Sequence, residues 1–145
     1  MRKILFRGKR QDNGKWVEGY VAKHIFAGYS EYLSIDVKQM KARYAQRTEY
    51  TYQPYEVIPE TVGQYTGLED KNGKMIFEGD IVLQPVRETR KHSPCIIEFH
   101  KGAFMAHYKS EDWFFDRYYN INSFTKIIGN IHDNPELLEV QDSDR

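Results

Sequence analysis

Apolar and polar positions alternate most legibly over residues 56–83, EVIPETVGQYTGLEDKNGKMIFEGDIVL. A Pro break precedes a β-rich run at 63–66, a polar stretch follows at 69–74, and residues 75–83 are strand-like again. Asn and Gly both tolerate positive φ, so Asn72-Gly73 fits the central pair of a type I′ turn, whose twist matches that of paired strands. The chain opens in the same way, with a short strand at 3–6, a polar connection ending in Asn13-Gly14, and a strand at 15–22. The two stretches align Phe6-x-Gly8 with Tyr65-x-Gly67, Asn13-Gly14-Lys15 with Asn72-Gly73-Lys74, and Glu18-Gly19-x-Val21 with Glu78-Gly79-x-Ile81. The offset grows from 59 to 60 just before Glu78, as a single inserted residue beside a Gly, a β-bulge, requires. Two hairpins result whether the likeness is a duplication or the common demand of an Asn-Gly turn.

The intervening pattern is weaker. Residues 26–34 predict a loop at Gly28 and then a strand ending near Val37, while VKQMKARYAQR at 37–47 has no clean apolar stripe and predicts a mobile connection. Tyr50, Tyr52, Tyr55 and Val57 predict a strand interrupted or bounded by Pro54 and ended by Pro59. Pro85 and Pro94 bracket a charged, solvated loop at 87–92. CIIEFH-KG-AFMAHY at 95–108 is a hairpin about Lys101-Gly102, with a core face of Cys95, Ile97, Phe99, Phe104, Ala106 and Tyr108 and an opposite face of Ile96, Glu98, His100, Met105 and His107. Residues 110–120 open with a Ser cap and two acids and predict a short helix; 124–131 is a closing strand. A terminal helix at 134–140 starts with Asn134 as cap and Pro135 at its first position, and residues 141–145 fray.

These elements predict a mainly β protein, all-β or β-rich α+β, with two small bent-sheet or barrel-like modules: residues 1–60, and residues 61–140 with an SH3-like sheet closed by the short helix. At 145 residues the chain can bury roughly 70% of its unfolded surface, so no disulfide framework is needed. Cys95 is the sole cysteine, which excludes an intramolecular disulfide and a multi-cysteine metal site and suits a reducing cytoplasm. Twenty-one basic and twenty-one acidic residues cancel, removing the long-range attraction of non-specific nucleic-acid binders. The apolar trio after Met1-Arg2-Lys3 is too short for a signal peptide or membrane span, so a soluble, cytoplasmic protein without a membrane partner is expected.

Three motifs, FRGKRQDNGKWVEGYV near the start, ETVGQYTGLEDKNGKMIFEGDIV in the middle and IIGNIHDNPELLE near the end, stand in one order and bracket nearly the whole chain. In this the sequence resembles the YopX family of bacteriophage and prophage proteins. The resemblance implies a largely β fold in a bacterial host cell and brings no catalytic residue or established activity. Residues 27–55 and 84–93 lie outside the matching motifs and carry no assigned role.

No phosphate-binding glycine loop, nucleophile elbow, zinc-protease His pair or paired-Cys motif occurs, so no enzyme and no cofactor is predicted. The weak metal candidate is Glu98, His100 and His107, a carboxylate and two imidazoles on one hairpin face, against the ordinary reading of a solvent-facing strand surface. Glu78-Gly79-Asp80 reads as turn or strand-edge structure. Tyr29, Tyr32, Tyr44, Tyr50, Tyr52 and Tyr55 crowd the least patterned third of the chain, and Tyr is enriched where proteins touch. They mark the leading expectation, a non-enzymatic accessory protein acting through protein contacts, self-associating as a homo-oligomer or binding a phage or host protein. The alternative is a nucleic-acid-associated factor using Arg2, Lys3, Arg7, Arg10, Lys15 and Trp16, where basic groups could meet phosphates while an aromatic stacks on a base.

Overall fold

The computed structural model describes residues 2–26, 28, 30–109 and 117–143. Every strand pairing is antiparallel, and the chain is β-rich as its alternation requires. It divides into two compact units, residues 1–64 and 65–145.

In the first unit β1 (Phe6–Lys9), β2 (Trp16–Phe26), β3 (Ser30–Tyr44) and β4 (Arg47–Val57) pair in the order β4-β3-β2-β1. The first residues of β5 (Gly63–Glu69) lie on the other side of β1, Gln64 against Phe6 and Gly63 against Arg7. The sheet curls until the end of β1 meets the end of β4. There Arg10 bridges Val57, Ile58 N–H donates to Lys9 O, and Gln11 N–H donates to Glu56 O, both at 2.9 Å. This falls short of a closed barrel. Ile35 and Val57 are sealed inside the curl, where a Cβ on Gly8 would lie 3.2 Å from the Val57 side chain and one on Gly19 would run into the Asp36 carbonyl oxygen. Gly19 is thus required by close approach of β3, in mid-strand, and not by a bulge.

Two expectations for this unit need correction. The first strand begins at Phe6 and not Lys3, since it needs β2 beside it and the ladder starts at Phe6↔Gly19. Residues 37–47 are no mobile connection: β3 runs on to Tyr44 and pairs with β4 down to Tyr44↔Arg47, with a bulge at Lys41. Because β2 leaves β3 after Tyr20↔Asp36, residues 37–44 and 47–53 pair, among the described residues, only with each other as a two-stranded ribbon. Both its faces meet solvent, so no apolar stripe marks it in sequence. Pro54 sits within β4 opposite Asp36, tolerated because β4 is the end strand of the ladder.

In the second unit the rest of β5 pairs with β6 (Met75–Phe77), and a five-stranded sheet follows in the order β10-β9-β8-β7-β11. Its strands are β7 (Asp80–Val86), β8 (Lys91–His100), β9 (Ala103–Tyr108), β10 (Arg117–Tyr119) and β11 (Lys126–Asn130). Ile76, Val82, Val86, Cys95, Ile97, Ala106 and Tyr108 form the core, with Tyr119, Ile121 and Ile127 packed at its margin. Full burial of each large aliphatic chain stabilises by about 1.5–3 kcal/mol before ordering costs. The β8–β9 register is as the sequence predicts, His100 opposite Ala103, Phe99 opposite Phe104 and Ile97 opposite Ala106. The predicted core face ends early, however. Phe99 at the hairpin tip is 59% exposed and meets Phe104 edge to face, while Ile96 and His107 on the opposite face are buried.

The turns also differ from expectation. Gly73 has φ 81° but Asn72 is not at positive φ, so the β5–β6 turn is not type I′. Gly73 N–H donates to Asp70 O and Asp70 N–H to Lys74 O. That is a three-residue loop with a terminal glycine in the left-handed region. The pair with positive φ at both central positions is Lys101-Gly102, at 48° and 86°. The run 75–83 is not one bulged strand: Gly79, at φ 86°, breaks it into β6 and β7, and Asp80 Oδ2 accepts from Phe77 N–H across the turn. Asn134 does not cap the helix α1 (Glu136–Ser143); its Oδ1 accepts from Asn130 N–H. The helix runs through Ser143, into the stretch expected to fray. Of the helix predicted at 110–120, residues 110–116 lie outside the described residues, and Arg117–Tyr119 is strand β10, paired with β9.

Candidate functional site

The ladder of the first unit decides which side chains share a surface. Lys9 lies opposite Trp16, Arg7 opposite Glu18, Tyr20 opposite Asp36, Lys38 opposite Tyr52, and Met40 opposite Tyr50. Side chains opposite one another point to the same face, and alternate residues keep it. Arg7, Lys9, Trp16, Tyr20, Lys38, Met40, Tyr50 and Tyr52 therefore belong to one face of the sheet and its ribbon. Rings and cations alternate along it. The Arg7 guanidinium lies 4.6 Å over the Trp16 ring, Tyr20 and Tyr52 meet edge to face at 6.1 Å, and the Lys38 ammonium lies 4.0 Å over Tyr50. Tyr20, Tyr50, Tyr52 and Met40 are 48%, 49%, 53% and 59% exposed.

The tyrosines singled out in the sequence do not form one patch. Tyr32, Tyr50 and Tyr52 are on this face, Tyr32 stacked on His24 at 4.4 Å. Tyr55 is opposite Ile35 on the other face with Arg10 over its ring at 4.4 Å. Tyr44 lies past the Lys41 bulge beside Arg47, and Tyr29 lies outside the described residues. Tyr20 was missed because its place beside Tyr52 depends on two strand registers at once.

The basic N-terminal residues are scattered or already engaged. Arg2, Lys3 and Lys15 are exposed outside any strand. Arg10 forks onto Asp12, Nε to Oδ1 at 2.9 Å and Nη2 to Oδ2 at 2.6 Å, and the hydrogen bonds from Arg10 hold the Asp12 carboxyl below its ordinary value. Trp16 is half-buried beneath Arg7 and Lys9 and offers no bare ring.

On the same face, Ser34 hydroxyl donates to Asp36 Oδ1 at 2.8 Å, so its oxygen accepts from His24 Nε2–H, also at 2.8 Å. The three residue types are those of a hydrolase triad but the order is wrong: the serine is in the middle, fully buried, and its proton points to the carboxylate. The chain pins β2 to β3 and activates no nucleophile.

The metal candidate does not assemble. Glu98 accepts from His107 Nδ1–H at 3.0 Å, but His100 and His107 stack on Tyr118 of β10, at 3.6 and 4.3 Å between ring centres. The tyrosine holds the imidazoles apart as stacking partners, a contact invisible in the hairpin's own sequence. Among the described residues no three His, Cys, Asp or Glu side chains are gathered for a metal. Of Glu78-Gly79-Asp80, Gly79 makes the corner between β6 and β7 and Asp80 accepts from Phe77 N–H across it.

The molecule is mainly β, in two units, and the first unit carries an open aromatic face. The YopX protein family model matches residues 5–139, and the chain belongs to that family. It is also similar to the crystal structure of protein EF1440 from Enterococcus faecalis, with 26% identity and a TM-score of 0.56, over 95% of this chain and 99% of that one. No curated protein matches the sequence. Among the described residues no helix is long and apolar enough to cross a membrane.

Proposed function

We propose that this YopX family member is a cytoplasmic, phage-encoded accessory protein that works without catalysis, through protein contacts, and first through contacts between copies of itself. The observation that carries the reading is the contiguous exposure of Tyr20, Tyr52, Tyr50 and Met40 on a face whose ribbon, among the described residues, has no strand paired to either outer edge. Isolated apolar side chains are ordinary on a surface, but a continuous aromatic and Met patch beside open strand edges favours self-complementary docking. A two-fold pairing would bring the same patch from each copy together. The second class, nucleic-acid binding by the N-terminal hairpin, finds less support, because Arg10 is spent on Asp12 and Arg7 covers Trp16.

Light scattering across a concentration series tests the reading. The wild type should be a dimer or larger, and Met40→Glu with Tyr50→Glu should make it monomeric while the far-UV spectrum is kept. A wild-type protein that stays monomeric up to high micromolar concentration overturns self-association.

A further inference from the structure

The tip of the ribbon differs from its base in charge. Residues 41–48, KARYAQRT, hold Lys41, Arg43 and Arg47 and no carboxylate, in a chain whose charges cancel overall. The compensating acids lie elsewhere. Glu49, the first carboxylate beyond the tip, touches Arg47 at 3.3 Å, but the two side chains are 37% and 71% exposed. Such an exposed pair contributes little and exchanges freely for another anion. Tyr44 stands at the tip, half-exposed, with the Arg47 guanidinium 5.1 Å from its ring.

Shape adds to charge. Residues 37–44 rise about 3.3 Å each, so the ribbon extends roughly 25 Å past the last β2 pairing, and it is only two strands wide, about 4.8 Å between backbones. A B-DNA major groove about 12 Å wide admits a two-stranded ribbon with its side chains, whereas the deep, narrow major groove of A-form RNA does not. Arg43, opposite Thr48, and Arg47, opposite Tyr44, belong to opposite faces of the ribbon, so a tip entering the groove carries a cation toward each phosphate wall.

We infer that the tip of the β3–β4 ribbon is a docking element for double-stranded DNA, with Lys41, Arg43 and Arg47 on phosphates and Tyr44 among them. This element is separate from the N-terminal hairpin, and it does not rest on self-association, whose patch runs from Tyr20 and Tyr52 up the ribbon to Met40 and Tyr50 and stops short of the tip cations. The contacts are to the backbone, so binding is insensitive to sequence.

Fluorescence anisotropy with a labelled random-sequence duplex, across a salt series, tests it. The wild type should bind at low salt, and the Lys41→Ala, Arg43→Ala, Arg47→Ala variant should lose roughly tenfold or more in affinity there. The slope of log affinity against log salt should fall in magnitude by about three, one for each phosphate contact removed. Unchanged thermal unfolding and an unchanged light-scattering mass would show that the variant keeps its fold and assembly. No duplex binding at low salt overturns the inference. So does a triple variant that binds like the wild type, a preference for an RNA duplex, or a greater loss from Arg2→Ala with Arg7→Ala than from the tip substitutions. A Tyr20→Ala, Tyr52→Ala variant, altered at the ribbon's base without change of charge, that is monomeric and still binds DNA would separate this outcome from that of self-association.

Discussion

The Asp70 carboxylate, in the β5–β6 turn, accepts a hydrogen bond from the backbone N–H of Ile127 at 3.0 Å, joining positions 57 residues apart. Its other oxygen accepts from Asn72 and Lys74 N–H, each at 2.9 Å, and Lys71 N–H donates to Thr125 O nearby. One side chain shapes the turn and ties it to the start of β11.

That carboxylate makes the protein acid-sensitive. Burial pushes its pKa up, but the three N–H donors of Ile127, Lys74 and Asn72, with the Lys74 charge, outweigh burial and hold it below the ordinary value. A depressed carboxyl contributes stability that is complete above its unfolded pKa of about 3.9 and is lost as pH falls through the lower folded value. Asp70→Ala, which strands all three donors, should cost roughly 2–3 kcal/mol in urea unfolding at neutral pH. Asp70→Asn should reduce the loss of stability on acidification relative to wild type. If both variants unfold like the wild type at every pH, the tie is not a source of stability.

Cys95 should be chemically silent. It is fully buried in β8 among the core, and burial pushes its thiol up to about 12. Thiolate is the reacting species, so a disulfide reagent at mildly alkaline pH should fail to label the native protein and should label one thiol per chain in guanidinium. Rapid native labelling would mean that the sheet opens at β8.

The β8–β9 turn should be improvable. Lys101 is held at φ 48°, a region in which Asn is far commoner than Lys. Lys101→Asn should raise stability by about 0.5–1 kcal/mol, read as a higher melting temperature. A loss would show that the lysine makes an interaction worth more than its strain.

What could be read from sequence follows from where one face is buried and the other is not. The β8–β9 register was legible because the two-residue turn at Lys101-Gly102 fixes which residues lie opposite one another, from His100 and Ala103 back to Ile97 and Ala106. The long β3–β4 pairing was not, because VKQMKARYAQR has no buried face to impose a period, and Pro54 argued for interruption where an end strand could accept it. Gly79 was legible as a special position, but a bulge and a corner leave the same glycine behind. Of the candidate surface, Tyr50 and Tyr52 were visible as residues and not as a patch. Their neighbours Tyr20 and Lys38 come from other strands, and the Lys41 bulge sends Tyr44 elsewhere.

A ribbon that bonds only to itself also stands outside the folding cooperativity of the body. Two strands alone are marginal in water, so residues 37–53 can open while Ile35 and Val57 stay sealed, and their amides should exchange with solvent long before the rest of the first unit. Substitutions there should cost the fold little, so what residues 37–53 must keep is set by what they touch and not by the stability of the sheet that carries them.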